Sequence, residues 1–277
     1  MSKGQAPRRR FSQNFLTDPS VAARIVDACS LSRAERVLEI GPGRGALTEP
    51  LLRQVDQLHA IELDRDLAAA LRHRWPALML QEADALRVDY ATFLRDGNWT
   101  IVGNLPYNVS TPLLMRLLLH GSALRQMVFM LQQEVVDRMC APPGSKTYGR
   151  LSVMVGYHCR AQALFEVSAG SFYPVPKVRS RIIRLTPLHP PPMPLALPEV
   201  VRRAFTQRRK TLRNALSGCV DAQHMLAVGV DPGRRPETLS IDEYVRLAGV
   251  AFVERAQPAC AATDENPMEE LPGDRAC

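Results

Sequence analysis

The sequence predicts an α/β fold, in which a mostly parallel β-sheet is covered by helices on both faces, followed by a small all-helical domain. Short apolar runs that are typical of buried strands alternate with helical stretches over the first part of the chain, which predicts the parallel sheet. The alternation stops after Gly170. Six prolines in residues 187–198 then form a linker, and three further helical stretches follow it.

The strands of the sheet are predicted from apolar runs, and a helix is predicted before or between them. The first helix begins at Asp18-Pro19, because a capping side chain precedes a proline at the first helical position. The strand runs are RVLEI (36–40), LHAIELD (58–64), ALMLQEADAL (77–86), WTIVGNLPY (99–107) and QMVFML (126–131). Helices are predicted around 46–55, 65–74, 111–120 and 133–140. Residues 178–188 alternate polar with apolar side chains, which predicts an added edge strand.

Four regions follow from this pattern. They are a basic N-terminal arm (1–12), the α/β domain (13–188), the small helical domain after the proline-rich linker (189–255) and an acidic tail (256–277). The helical domain is predicted to contain helices near 197–217, 220–228 and 241–253. The tail is small, polar and acidic, so we expect it to be disordered.

The distribution of charge indicates a polyanionic partner. The 277 residues carry a formal net charge of +7, and the sequence pI is about 9.3. Residues 201–215 hold six cations and no acid, and such a run is typical of a surface that contacts nucleic acid. The candidate RNA-binding residues are Arg208, Arg209, Lys210 and Arg213. The alternative is that these side chains pair with acids elsewhere and only stabilise the fold.

Several classes of protein are disfavoured by the composition. The six cysteines are scattered, without a Cys-x-x-Cys pair or a metal-binding spacing with histidine, so we expect a reduced cytoplasmic protein without a metal site. The N-terminus lacks the apolar stretch of a secretory signal. No run of about 18 apolar residues predicts a membrane span. We also expect a monomer.

The segment EIGPGRG, Glu39 to Gly45, follows the first strand of the sheet. Glycines at such a turn allow the backbone to approach a ligand closely, and the following helix presents unpaired N–H groups. The second strand ends at Glu62, where a carboxylate can accept both hydroxyls of a ribose. The third ends at Asp84, which can accept from an adenine amino group. Together they predict a nucleoside site, and S-adenosylmethionine fits it without a second phosphate-binding loop.

The segment GNLPYNVSTP, residues 103–112, follows the fourth strand. Pro106 fixes its own φ and favours an extended Leu105, so the carbonyls around it are held in a rigid turn. The Asn104 side-chain oxygen and the Leu105 carbonyl can accept hydrogen bonds from an exocyclic adenine nitrogen and make its lone pair available. Tyr107 can stack on a base that has left its own helix or loop. Residues Asn104, Leu105, Pro106 and Tyr107 are therefore the catalytic candidates.

With these motifs in place, the sequence resembles the small-subunit ribosomal RNA adenine dimethyltransferases. The resemblance runs from about Phe11 to Phe252. It depends on QNFLTD (13–18), EIGPGRGALT (39–48), IELD (61–64), EADAL (82–86), NLPYNVSTPLL (104–114), FYPVPKVRS (172–180), FTQRRKTLRNAL (205–216) and RPETLS (235–240). It implies a Rossmann-like methyltransferase sheet that transfers methyl groups from S-adenosylmethionine to N6 of two adjacent adenines near the 3′ end of 16S rRNA, in the small ribosomal subunit or its precursor.

The resemblance also implies roles for individual residues. Contacts with S-adenosylmethionine are implied for Asn14, Leu16, Gly41, Glu62, Asp84 and Asn104, with Gln13, Gly43 and Ala85 beside it. Phe172 is implied to meet the face of the target base opposite Tyr107.

Three other functions are compatible with parts of this pattern. A large-subunit rRNA adenine methyltransferase of the antibiotic-resistance type shares the QNFL and N-x-PY sequences, but RRKTLRNAL and RPETLS favour the small-subunit enzyme. A non-catalytic assembly factor would not need the intact acids and the Asn104 turn. A DNA adenine methyltransferase is not expected to carry the basic C-terminal segment.

Overall fold

The computed structural model describes residues 14–251, apart from the side chains of Tyr107 and Asn108. In this range, the chain forms a seven-stranded sheet, a separate two-stranded sheet and a C-terminal group of helices. The predicted α/β fold is confirmed. The basic arm, the acidic tail and Gln13 lie outside the described residues, and the predicted division into domains stays a prediction.

The strands and helices are numbered in chain order. The strands are β1 (Phe15–Leu16), β2 (Arg36–Ile40), β3 (Gln57–Glu62), β4 (Met79–Glu82), β5 (Trp99–Asn104), β6 (Leu124–Gln132), β7 (Cys159–Val167), β8 (Phe172–Tyr173) and β9 (Ser180–Pro187). The helices are α1 (Pro19–Ala28), α2 (Thr48–Gln54), α3 (Arg65–Arg74), α4 (Tyr90–Phe93), α5 (Tyr107–Leu118), α6 (Gln133–Met139), α7 (Arg150–His158), α8 (Leu197–Thr206), α9 (Leu212–Ala215), α10 (Ala222–Ala227) and α11 (Ile241–Gly249).

The large sheet has the strand order β4-β3-β2-β5-β6-β9-β7. Strands β2 to β6 are parallel, whereas β9 is antiparallel to both β6 and β7. The prediction of an edge strand at 178–188 is therefore wrong, because β9 lies inside the sheet and β7 forms its edge. Most side chains of β7 are exposed or half-buried, so its sequence lacks the apolar run that would have identified it.

Alternate residues of the parallel strands face two separate cores. In β2, Val37 packs into one core with α1 and α2, whereas Leu38 packs into the other with α5 and α7. In β5, Val102 packs into the same core as Val37, and Ile101 packs into the same core as Leu38. Burial on both faces explains why these strands are nearly continuous apolar runs, and it aligns their carboxyl ends at one edge of the sheet.

The region predicted as one helix over 197–217 is two helices. The first, α8, ends at Thr206, and α9 is a short helix from Leu212 to Ala215. The N–H groups of Leu212 and Arg213 donate to the carbonyls of Arg234 and Pro232, at 2.8 and 3.0 Å, instead of to a preceding helical turn. A tertiary contact with the 232–234 segment thus replaces the helical hydrogen bonds there.

The C-terminal helices share a third core with α7. Val153 and Tyr157 of α7 pack with Val200 and Val201 of α8 and with Leu247 of α11. Helix α11 begins with a capping box, in which Ser240 and Glu243 bond each other's backbone N–H groups. No helix within residues 14–251 is both long and apolar enough to cross a membrane.

Candidate active site

Two adjoining cavities open where β2, β3 and β5 end. We call one the Asn104 cavity and the other the Asp84 cavity, and they share Gly41, Glu62, Leu105 and Pro106. The Asn104 cavity is also lined by Asn14, Phe15, Leu16, Glu39, Pro42, Gly43, Arg44, Ala46 and Leu47. The Asp84 cavity is also lined by Ile40, Ile61, Leu63, Asp64, Ala83, Asp84, Ala85, Leu86, Val109 and Leu113.

The glycine turn after β2 lines the Asn104 cavity. Gly41 has a φ of +67° and Gly43 a φ of +60°, a region that side-chain-bearing residues rarely adopt. A Cβ atom on Gly41 would meet no atom within 4 Å, so it would project into the space where a ligand has to lie. The predicted close approach of the backbone to a ligand fits this geometry.

The carboxylate of Glu62 is held at the end of β3 by two backbone N–H groups. Gly43 N donates to Oε2 at 3.0 Å, and Asp64 N donates to Oε1 at 2.9 Å. The side chain is buried, which raises the pKa of Glu62, although these hydrogen bonds oppose the rise. Each oxygen keeps a lone pair, so the carboxylate can accept the two hydroxyls of a ribose.

The Asp84 cavity suits a purine ring. Its walls are largely apolar, with Ile61, Leu86 and Leu113 among them, and Asp84 supplies a carboxylate two residues after the strand β4. Leu86 N donates to Asp84 Oδ1 at 2.9 Å, which fixes the direction of the side chain. An apolar slot with one oriented acceptor matches the flat faces and the amino group of adenine, so these residues fit the adenosine half of S-adenosylmethionine.

Asn104 lies at the end of β5 with a fixed amide orientation. Its Nδ2 donates to the carbonyl of Asn14 at 3.0 Å, so Oδ1 is the atom that can accept from a substrate. Pro106 precedes α5, and its carbonyl accepts from the N–H groups of Val109 and Ser110. Leu105, one residue before these bonds, lines both cavities. The side chain of Tyr107 lies outside the described part of the chain.

Phe172 is placed beside the Asn104 cavity by the two-stranded sheet. Strands β1 and β8 are antiparallel, with Leu16 opposite Phe172 and Phe15 opposite Tyr173. Phe172 is buried, at 3% exposure, whereas Tyr173 is 58% exposed. The implied stacking of Phe172 on the target base stays a prediction. In this conformation its ring is part of the core that includes Leu16.

Comparison with known proteins identifies the family to which a chain with this site belongs. The model of the family described as ribosomal RNA adenine dimethylase matches residues 4–251. The chain belongs to this family.

Curated relatives cover nearly the whole chain. A protein of Methylococcus capsulatus is 50% identical over 87% of this chain and 96% of its own length. One of Pseudomonas aeruginosa is 46% identical over 97% of both chains. Each is named ribosomal RNA small subunit methyltransferase A.

Solved structures agree with the fold. A dimethyladenosine transferase from Plasmodium falciparum is 24% identical, with a TM-score of 0.73 over 86% of this chain and all of that one. The 23S rRNA methyltransferase ErmE is 26% identical, with a TM-score of 0.67 over 85% of this chain and 98% of that one. The predictions of an adenine methyltransferase and of S-adenosylmethionine as its cofactor are confirmed by the family.

The six cations in residues 201–215 of this rRNA adenine dimethylase differ in their contacts more than the sequence suggests. Glu199, just before the run, accepts from both Arg202 and Arg203 at 2.6 to 2.7 Å. Arg208 Nη2 donates to the carbonyls of Ser145 and Lys146, at 3.3 and 2.8 Å. Arg202 and Arg203 are therefore paired within α8, whereas Arg208 joins the turn after α8 to the 145–146 segment.

Three cations of the run form no ion pair within residues 14–251. Arg209, Lys210 and Arg213 are exposed, and no acid within residues 14–251 forms an ion pair with them. Arg209 lies in the turn after α8 and Arg213 in α9, so the two do not belong to one helix, as the predicted helix over 197–217 would place them. They still form an exposed positive patch, which we call the 209–213 patch.

Several residues that line the cavities were not predicted as site residues. Glu39 lies in the Asn104 cavity at the end of β2, where it accepts from Thr48 Oγ1 at 2.6 Å. Its position at a strand end, like that of Glu62 and Asp84, was the signal that could have identified it. Phe15 and Arg44 stack on each other at 4.5 Å, a contact that no sequence spacing indicates. No cluster of three or more potential metal ligands occurs in residues 14–251.

Proposed function

We propose that this chain transfers methyl groups to N6 of two adjacent adenines in a hairpin loop near the 3′ end of 16S rRNA, giving N6-dimethyladenosines during small-subunit biogenesis. The small-subunit names of relatives that are 46–50% identical support this substrate over the 23S rRNA of the more distant ErmE. The observation that carries the chemistry is the Asn104 amide, whose orientation is set by the Asn14 carbonyl beside the cofactor cavities.

The residues around Asn104 act on the target nitrogen. The lone pair of an exocyclic adenine nitrogen is delocalised into the ring, which makes it a weak nucleophile. Asn104 Oδ1 and the Leu105 carbonyl accept its two hydrogens and favour a tetrahedral nitrogen with a localised lone pair. Tyr107 and Phe172 stack on the extruded base, which holds the nitrogen in line with the methyl group. Positioning and these acceptors supply the catalysis.

The remaining site residues hold the cofactor. Bound S-adenosylmethionine supplies a methyl group on a sulfonium centre. Glu62 accepts the ribose hydroxyls, while Asp84 and Ala85 recognise the adenine. The other assigned contacts are Asn14, Leu16, Gly41, Gly43 and Asn104 around the Asn104 cavity, together with Gln13, which lies outside the described residues. This division follows from the two adjoining cavities, which meet at Glu62.

Mass spectrometry of rRNA tests the function directly. We expect small subunits from cells that lack this chain to gain two N6-dimethyladenosines near the 3′ end of 16S rRNA when incubated with the enzyme and S-adenosylmethionine. Methylation of 23S rRNA instead would support the large-subunit alternative. Binding to small subunits without any methyl transfer would support the non-catalytic assembly factor.

The 209–213 patch is proposed to bind rRNA phosphates. Replacing Arg209 and Arg213 with alanine is expected to weaken small-subunit binding, because cations that neutralise phosphates position the enzyme on folded RNA. The plot of log affinity against log salt should flatten by about 0.7–0.9 for each phosphate that the variant no longer neutralises. S-adenosylmethionine affinity should not change.

An arginine outside this patch provides the control for that measurement. Arg33 is exposed and paired with Asp56 at 2.8 Å, before the first strand of the large sheet. Arg33→Ala should leave the salt slope as it is in the wild type. If the double variant also keeps the wild-type slope and only melts at a lower temperature, the patch stabilises the fold and does not bind RNA.

The proposed partner is 16S rRNA within the small subunit or its precursor. Action on this substrate in a bacterium implies a cytoplasmic location, and a monomer suffices because both cavities are built from one chain.

A further inference from the structure

Tyr173 is an exposed aromatic residue next to the site, and the proposed function assigns no role to it. It follows Phe172 in β8 and is 58% exposed. No ring contact or side-chain hydrogen bond of Tyr173 occurs within residues 14–251. The other tyrosine side chains that the structure describes are all buried, namely Tyr90, Tyr148, Tyr157 and Tyr244. Because the Tyr173 ring belongs to no core, it is available to a ligand.

The pairing of β1 with β8 places Tyr173 beside the Asn104 cavity. Tyr173 is directly opposite Phe15 in this antiparallel pair, so both side chains leave the two-stranded sheet on the same face. Phe15 lines the Asn104 cavity, where the Arg44 guanidinium group lies 4.5 Å from the centre of its ring. The Tyr173 side chain therefore leaves the sheet next to the cavity in which Asn104 meets the substrate.

Phe172 and Tyr173 cannot contact the same base. Consecutive side chains of a strand point to opposite faces, and the burial of Phe172 beside the exposure of Tyr173 agrees with this rule. By the proposed function, Phe172 meets the target adenine. The ring of Tyr173 is then left for a base that lies one nucleotide further along the RNA.

The segment after Tyr173 has the composition of a contact with unpaired RNA. Pro174 and Pro176 restrict the backbone, and Val175 between them is 65% exposed. Lys177 is an exposed cation that forms no ion pair within residues 14–251. Proteins hold single-stranded nucleic acid by stacking bases on aromatic side chains while nearby cations meet the phosphates. These exposed side chains therefore favour a nucleotide as the ligand of Tyr173.

We propose that Tyr173 is a further substrate-binding residue, which stacks on the unpaired base next to the target adenine. The inference rests on the proposed function, in which two target adenines are adjacent in a hairpin loop. When one adenine lies at Asn104, the other is its neighbour in the RNA chain. Stacking of that neighbour on Tyr173 fixes the RNA backbone on one side of the extruded adenine, which helps to hold N6 in line with the methyl group.

Tyr173→Leu tests the contribution of the aromatic ring. Leucine keeps an apolar side chain but has no flat face, so kcat/KM for methyl transfer to small subunits should fall about fivefold or more. Tyr173→Phe keeps the ring and should behave like the wild type. The control is Leu119→Ala, because Leu119 is 67% exposed and follows the 12-residue helix α5, roughly 18 Å from the Asn104 turn. Calorimetry with S-adenosylhomocysteine should give the same affinity for all of these variants.

Changes in the RNA identify the base that Tyr173 contacts. Small subunits are prepared with guanine or uracil in place of one of the two adenines, at each position in turn, so that one target remains. For at least one position, the wild type should methylate the remaining adenine severalfold faster beside guanine, because a purine offers the larger stacking surface. This preference should be severalfold smaller in Tyr173→Leu. Effects of the replacement on the RNA itself are shared by both enzymes and cancel in this comparison.

Two results would overturn this inference alone. An equal guanine preference in the wild type and in Tyr173→Leu would show that the side chain does not contact the neighbouring base. A rate for Tyr173→Phe as low as that for Tyr173→Leu would show that the ring is not the contact. Absence of methyl transfer to 16S rRNA by the wild type would instead reject the proposed function, and this inference with it.

Discussion

Asn104→Ala is expected to lower the rate of methyl transfer by about two orders of magnitude or more, a larger effect than its loss of S-adenosylmethionine affinity, because Asn104 is only one of several assigned cofactor contacts. The substitution removes Oδ1, which is oriented toward the substrate because Nδ2 donates to the Asn14 carbonyl at 3.0 Å. One of the two acceptors for the adenine amino group is then absent. Single-turnover transfer, measured with saturating cofactor, reports the effect on chemistry.

Asn104→Asp tests whether the orientation of the acceptor oxygen matters as well as its presence. The carboxylate keeps an oxygen of the same size, but it cannot donate to the Asn14 carbonyl and is repelled by it. We expect slow transfer in this variant too. Near-normal transfer by Asn104→Ala, with cofactor shown to be bound by calorimetry, would contradict the acceptor role of this side chain.

Glu62→Ala is expected to act on binding. The buried carboxylate accepts from Gly43 N and Asp64 N and, by our proposal, from two ribose hydroxyls. Its loss leaves the two ribose hydroxyls without a charged acceptor, at a cost of roughly 1.5–3 kcal/mol of cofactor binding free energy, or about 10-fold to 150-fold in Kd. Calorimetric titration with S-adenosylhomocysteine measures this change.

Glu82→Ala is the control for that experiment. Glu82 lies directly opposite Glu62 on β4, is exposed and pairs only loosely with Arg72 at 3.5 Å. Its removal should leave the Kd unchanged. An unchanged Kd for Glu62→Ala as well would remove this residue from the cofactor site.

The centre of the sheet and the cofactor site were predictable because their signals are local. Strands buried on both faces are continuous apolar runs, so β2, β3 and β5 were identified from composition alone. The glycine turn and the acids at strand ends then determine where a nucleoside can bind. Parallel strands bring such distant residues as Gly41 and Asp84 to one edge without any further information.

The parts that were not predicted depend on contacts distant in sequence. The two-stranded sheet of β1 and β8 joins segments more than 150 residues apart, and each strand has only two residues. The break after α8 is caused by bonds to the 232–234 segment. Arg208 donates to carbonyls at 145 and 146, which the local pattern of charge cannot reveal.

The core between α7 and the C-terminal helices limits how this enzyme can be divided. Tyr148, Val153 and Tyr157 belong to the chain before the proline-rich linker, yet they are buried against residues that follow it. A fragment that ended at the linker would expose these side chains to water. The C-terminal helices therefore cannot be replaced alone by those of another protein, because the face of α7 that packs against them has to be replaced with them.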